Sequence, residues 1–121
     1  MTPSVALRNV CACWERGDVD ALVALFTDDG VYEDPLHPRI LRGRADIQAV
    51  NAAAVDALED CVITLHRIIE NADVAFAEGY FASRVREAGE RLDFPFAILV
   101  EMRDGRIARL AEYFDTRPLP V

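Results

Sequence analysis

The second half of this chain reads as four β-forming stretches separated by short turns, and few architectures accommodate four such stretches in succession. Residues 61–70 are rich in β-branched side chains (Val62, Ile63, Thr64, Ile68, Ile69), and Asn71-Ala72-Asp73 turns the chain back. Residues 74–85 form the next stretch, and Glu87-Ala88-Gly89-Glu90 reverses it into residues 91–102. Asp104-Gly105 is a strong hairpin signal and leads into residues 106–115. Consecutive strands joined by short turns pair antiparallel, so this half predicts a single antiparallel sheet.

The first half predicts helices around one short strand. Residues 4–16 place Val5, Leu7, Val10, Cys11 and Trp14 near helical spacing, and Gly17-Asp18 ends that helix and caps a second over residues 18–26. Asp28-Asp29 reads as the turn that closes it. Gly30-Val31-Tyr32-Glu33-Asp34-Pro35 follows as a strand, residues 37–42 as a loop, and an alanine-rich helix runs from about Arg44 to Leu58. Two prolines in residues 116–121 end the fold. The 121 residues are enough for one domain, residues 1–121, with no repeat or linker, and the element order predicts an α+β fold: helices packed on one face of a curved sheet, which closes into a cone around a small-molecule pocket.

Composition excludes several classes. Charges interrupt every apolar run, so no membrane span is expected, and the first residues lack the basic and apolar regions of a secretory signal. A net charge of −8 disfavours nucleic acid and anionic membranes as partners. Cys11, Cys13 and Cys61 are an odd count, with the first two too close for an ordinary bridge, which fits a reduced, cytoplasmic protein. No metal or nucleotide motif implies a cofactor. His37 reads as a surface residue in a loop that could lie at the pocket mouth, and His66 as a strand residue with its own partner.

The strand at residues 31–35 carries the chemistry. Side chains alternate along a strand, so Tyr32 and Asp34 share a face, and the apolar surroundings make that face core or pocket. A carboxylate aimed into an apolar cavity must be neutralised, paired or used.

Several motifs together resemble the SnoaL-like and ketosteroid-isomerase-like members of the nuclear transport factor 2 superfamily. They are Ala24-Leu25-Phe26-Thr27-Asp28-Asp29 after Gly17-Asp18, then Tyr32-Glu33-Asp34-Pro35, Leu41-Arg42-Gly43-Arg44-Ala45-Asp46-Ile47, and Asp104-Gly105-Arg106-Ile107 running into Glu112-Tyr113-Phe114-Asp115. The resemblance covers nearly the whole chain and implies the cone fold. It does not by itself imply one activity, because this scaffold hosts isomerases, cyclases, hydrolases and plain binders.

Glu33-Asp34-Pro35-Leu36 resembles the segment that carries the catalytic base of ketosteroid isomerases, which places Asp34 as the base. The oxyanion donors of those enzymes fall near Val10 and near Ala97 or Ile98, so a steroid isomerase of the usual kind is not expected. Set against limonene-epoxide-hydrolase-like members, Tyr32 and Glu112 fall on a water-holding tyrosine and the last-strand base. The Arg-x-Asp proton donor falls on Gly79 and Phe81, and Arg91-Leu92-Asp93 recurs only in the following strand. SnoaL-like cyclases need only an acidic residue for an aldol closure.

If the last strand keeps the family's facing, Leu110, Glu112 and Phe114 look into the cone, with Phe96, Ile98 and Val100 from the previous strand and Gly79 and Phe81 from the one before. Gly79 would leave room for ligand, and Trp14 would close the pocket. The expectation is a cofactor-independent acid/base enzyme of isomerase or cyclase type acting on a small apolar carbonyl compound. Asp34 would be the base, Glu112 the proton donor and Tyr32 a hydrogen-bond donor. The alternatives are an epoxide hydrolase and a non-catalytic small-ligand binder. Tyr80, Leu99 and Tyr113 on the outer sheet face predict a homodimer.

Overall fold

A computed structural model describes residues 1–117. Helix α1 spans Pro3–Arg16 and α2 Val19–Ala24; strand β1 spans Phe26–Glu33 and β2 Leu41–Arg42; helix α3 spans Arg44–Ala57. Four strands follow: β3 Leu58–Asn71, β4 Val74–Val85, β5 Arg91–Arg103 and β6 Arg106–Tyr113. They form one six-stranded sheet in the order β2-β1-β6-β5-β4-β3. The expected α+β cone is the fold observed.

Local chemistry sets most boundaries. The Thr2 side chain accepts from the Val5 N–H at the start of α1, Pro3 occupies the first turn where its missing N–H costs nothing, and Gly17 ends the helix at φ +69°. Asp18 accepts from the Ala21 N–H and so starts α2. In the β5–β6 hairpin Asp104 and Gly105 both have positive φ, 54° and 79°, as a two-residue primed turn requires.

The sequence reading misplaces several ends. Helix α2 stops at Ala24, and β1 starts at Phe26 instead of Gly30, because Phe26 is wholly buried and pairs with Ile107. Asp28 and Asp29 therefore lie in β1, facing outward and paired with Arg44 (3.0 Å) and Arg103 (2.5 Å), rather than in a turn. The expected loop over residues 37–42 contains β2, whose Leu41 is 1% exposed opposite Tyr32. Strand β3 begins at Leu58 instead of Cys61, and β6 ends at Tyr113 instead of Asp115. The expected terminal prolines, Pro118 and Pro120, lie outside the described residues.

The helices cover the inner face of the sheet. Leu7, Leu22, Phe26, Leu41, Ile47, Ile107 and Leu110 are almost fully buried between the two layers. Each large apolar side chain buried this way contributes about 1.5–3 kcal/mol. Among the described residues no helix is long and apolar enough to cross a membrane.

Gly79 sits mid-strand in β4, paired with Leu65 and Phe96 next to a register shift in β3. The space that a Cβ would take is already filled by the Thr64 carbonyl oxygen and by the Phe96 ring at 3.1 Å. A backbone carbonyl cannot rotate away as a side-chain tip can. Gly79→Ala is therefore expected to destabilise the fold by about 1–3 kcal/mol, read as a lower midpoint in urea with an unchanged slope.

Candidate functional site

The pocket lies between α1 and α3 on one side and the concave sheet on the other, and encloses about 140 Å³. Its polar groups come from β1, the turn after it, and β6. Strands β1 and β6 pair in parallel, with Tyr32 opposite Leu110 and Glu33 opposite Ala111. That register points Tyr32 and Glu112 to the same inner face, and the Tyr32 hydroxyl donates to Glu112 Oε1 at 2.5 Å.

Burial pushes the Glu112 carboxyl up to about 7. Asp34 pushes in the same direction, while the Tyr32 hydrogen bond opposes both. Desolvation is the largest influence, so Glu112 holds a proton in neutral solution far more often than an exposed glutamate does. Tyr32 is 3% exposed, and burial, followed by the neighbouring Glu112, raises its hydroxyl well above the ordinary value.

Asp34 follows β1 directly, with its side chain 8% exposed. Its carboxylate accepts from the backbone N–H groups of Leu36 (2.8 Å) and His37 (3.0 Å), an arrangement typical of an aspartate capping a tight turn. His37 Nδ1 lies 2.8 Å and 2.9 Å from the two Asp34 oxygens. A carboxylate only accepts, so Nδ1 carries the hydrogen, and in the neutral ring Nε2 carries the lone pair. The His37 loop does lie at the pocket mouth, with the His37 side chain one-third exposed; its grip on Asp34 is what the sequence reading did not contain. Pro35 shapes the turn that brings position 37 back over position 34, and the Asp-Pro-x-His spacing was the available signal.

The pocket walls are apolar. Phe81 and Phe94 stack at 4.9 Å, Phe94 and Phe114 at 4.7 Å, and Trp14 meets Phe81 edge-on at 5.8 Å. Trp14 Nε1 donates to Asn51 Oδ1 at 2.9 Å, and Asn51, 2% exposed, donates to the Ile47 carbonyl. Asn51 had no distinguishing signal in sequence beyond being a polar residue on the buried side of an alanine-rich helix.

Of the lining positions read from sequence, Trp14, Phe81, Phe96, Ile98 and Phe114 border the pocket, as do Tyr32, Asp34 and Glu112. Gly79, Val100 and Leu110 do not. Val100 and Leu110 face inward but pack wholly buried in the core beyond the pocket floor, and the surface at Gly79 is covered by the Phe96 ring. Leu92 and Phe94 line the pocket instead, nearer the start of β5.

Other reactive types are less well placed. Cys11 also borders the pocket, but burial, then Glu112, pushes its thiol up to about 12, which disfavours the thiolate. Arg91 and Asp93 pair with each other at 3.0 Å outside the pocket lining. Among the described residues no three histidine, cysteine or acidic side chains cluster as a metal site.

A family model described as a SnoaL-like domain matches residues 7–110. The chain belongs to the SnoaL-like domain family. It is 26% identical over 121 residues to the monooxygenase AacuO of Aspergillus aculeatus, covering 95% of this chain and 74% of that one. A candidate isomerase from Bacillus subtilis has the same fold at a TM-score of 0.87, with 22% identity and coverage of 97% and 88%. A limonene-epoxide-hydrolase-like epoxide hydrolase of M. tuberculosis superposes at 0.78, with 23% identity and coverage of 94% and 83%. SnoaL-like relatives and fold neighbours thus carry the names of several enzyme classes, and the scaffold alone does not choose among them.

Glu112 gives a pH signature independent of any substrate. Below its ordinary value of 4.5 both folded and unfolded chains hold the proton; between there and about 7 only the folded chain does. The folded state binds more protons in that window, so its stability falls as pH rises, by up to roughly 3 kcal/mol, and then levels off. Denaturant titrations across pH are expected to show this decline in the wild type and its loss in Glu112→Gln.

Proposed function

We propose that this SnoaL-like protein is an acid/base enzyme that enolises a small carbonyl compound, leading to isomerisation or aldol cyclisation. The observation that carries this reading is the pairing of two differently held carboxyl groups in one apolar pocket. Asp34 is oriented by three hydrogen bonds, while Glu112 is buried beside Tyr32 with its carboxyl raised to about 7. Two carboxyl groups with unlike environments divide the roles of base and acid between them.

In this scheme an Asp34 oxygen removes the proton from the carbon next to the substrate carbonyl. The C–H electron pair moves into the enolate, and its developing charge is met at oxygen by the protonated Glu112. Tyr32 holds Glu112 in place. The proton on Asp34 then returns to a different carbon, completing an isomerisation, or the enolate carbon attacks a second carbonyl of the same molecule, closing a ring, and the Asp34 proton passes to the alkoxide oxygen formed there. His37 acts as a positioning residue, fixing the plane of the Asp34 carboxylate through Nδ1. Correct placement of a base is worth orders of magnitude in rate.

Epoxide hydrolysis is supported by Tyr32 and Glu112 but lacks an Arg-x-Asp proton donor in the pocket, since Arg91 and Asp93 pair outside it. The deciding experiment follows cyclohex-3-enone by proton NMR in deuterated water with wild type and Asp34→Asn. The expected result is deuterium at the α-carbon with wild type and at least a tenfold slower exchange with the variant. Exchange that survives in Asp34→Asn would remove Asp34 as the base. The wild-type rate is expected to fall as pH rises past about 7, where Glu112 loses its proton.

The outer face of the sheet is assigned to a second copy of the chain. It exposes Phe76, Tyr80 and Tyr113, at 40%, 40% and 54%, with Leu99 half-buried between them. Light scattering is expected to give twice 13.5 kDa, and a mass of 13.5 kDa would refute the assignment.

A further inference from the structure

The pocket is small, and its walls resist widening. Its volume is about 140 Å³. A dry cavity of about 150 Å³ lined by Leu, Ile and Phe holds one benzene molecule. One wall is the stack of Phe81, Phe94 and Phe114, whose rings lie face on face with planes within 18° and 26° of one another in sequence, so the three rings brace each other. Trp14 closes against the end of that stack and cannot swing aside freely. Its ring nitrogen is bonded to Asn51, which is itself buried and tied to the Ile47 carbonyl. Making room for a second fused ring would break a buried hydrogen bond and part the aromatic stack together.

We propose that the pocket selects a single six-membered ring bearing one oxygen, a cyclic enone or its enol, and excludes fused polycycles. The ring lies against the phenylalanine stack, with Ala54 of α3 also lining the cavity and the oxygen at the Tyr32–Glu112 pair. This size limit rests on the reading of the pocket as the substrate site and adds to it which substrates fit.

Trp14 is the only tryptophan in the chain, so its fluorescence reports on the pocket directly. The test titrates the intact protein with cyclohex-2-enone and with testosterone, which carries the same enone as one ring of four. Saturable quenching by cyclohex-2-enone, at least tenfold weaker in Ala54→Phe, together with no saturable change by testosterone, is the expected result. Ala54 faces the cavity, so the larger side chain fills empty space, and circular dichroism checks that the variant is folded. Saturable binding of testosterone with equal or greater affinity would overturn the size limit. Failure of cyclohex-2-enone to saturate, or equal binding by Ala54→Phe, would overturn the assignment of the ring to this pocket. The readout is binding and needs no turnover, so it stands or falls separately from the deuterium exchange experiment.

Discussion

The parallel pairing of β1 with β6 is the constraint on which the site depends. Every other neighbouring pair in the sheet is antiparallel. This one joins the first strand to the last and aligns Tyr32 with Leu110. The hydroxyl of Tyr32 and the carboxyl of Glu112, 80 residues apart, meet because of that register. A slip of one residue would turn Glu112 to the outer face, where it would be an ordinary surface acid.

Once that register is set, the chemistry follows from unequal solvation. Glu112 loses water and gains one hydrogen bond, and desolvation dominates, so its proton is held to about 7. Asp34 sits where the chain turns out of the sheet and collects two backbone N–H groups and an imidazole. The same fold thereby places two carboxyl groups in unlike environments within one pocket. The aromatic wall opposite contributes no proton chemistry, but it keeps water out and so maintains the desolvation on which Glu112 depends.

The candidate site was partly legible in the sequence. Strand alternation put Tyr32 and Asp34 on one face, and the family resemblance supplied the inward facing of Glu112 and Phe114. The depth of the pocket was not legible. Val100 and Leu110 face the same way as Ile98 and Glu112 yet lie beyond the floor, because alternation reports which side of a sheet a residue occupies and not how far along the cone the helices close over it. Gly79 was misread for a related reason: a missing side chain marks space only if no neighbour fills it, and the Thr64 carbonyl and the Phe96 ring do so. The contact of His37 with Asp34 was not legible because it depends on how the turn between two prolines folds back, which the loop's composition does not report.

Patterns of a few residues are decided by local physics, so the sequence by itself determined the three helices, the Gly17-Asp18 stop and cap, the Asp104-Gly105 hairpin, the four successive antiparallel strands and the shared face of Tyr32 and Asp34. The tertiary structure alone decided the early start of β1, the insertion of β2, the Trp14–Asn51 clamp and the raised proton affinity of Glu112. Each of these depends on burial by residues distant in the chain. Desolvation and close packing are properties of what surrounds a group, and those surroundings exist only once the sheet has closed around them.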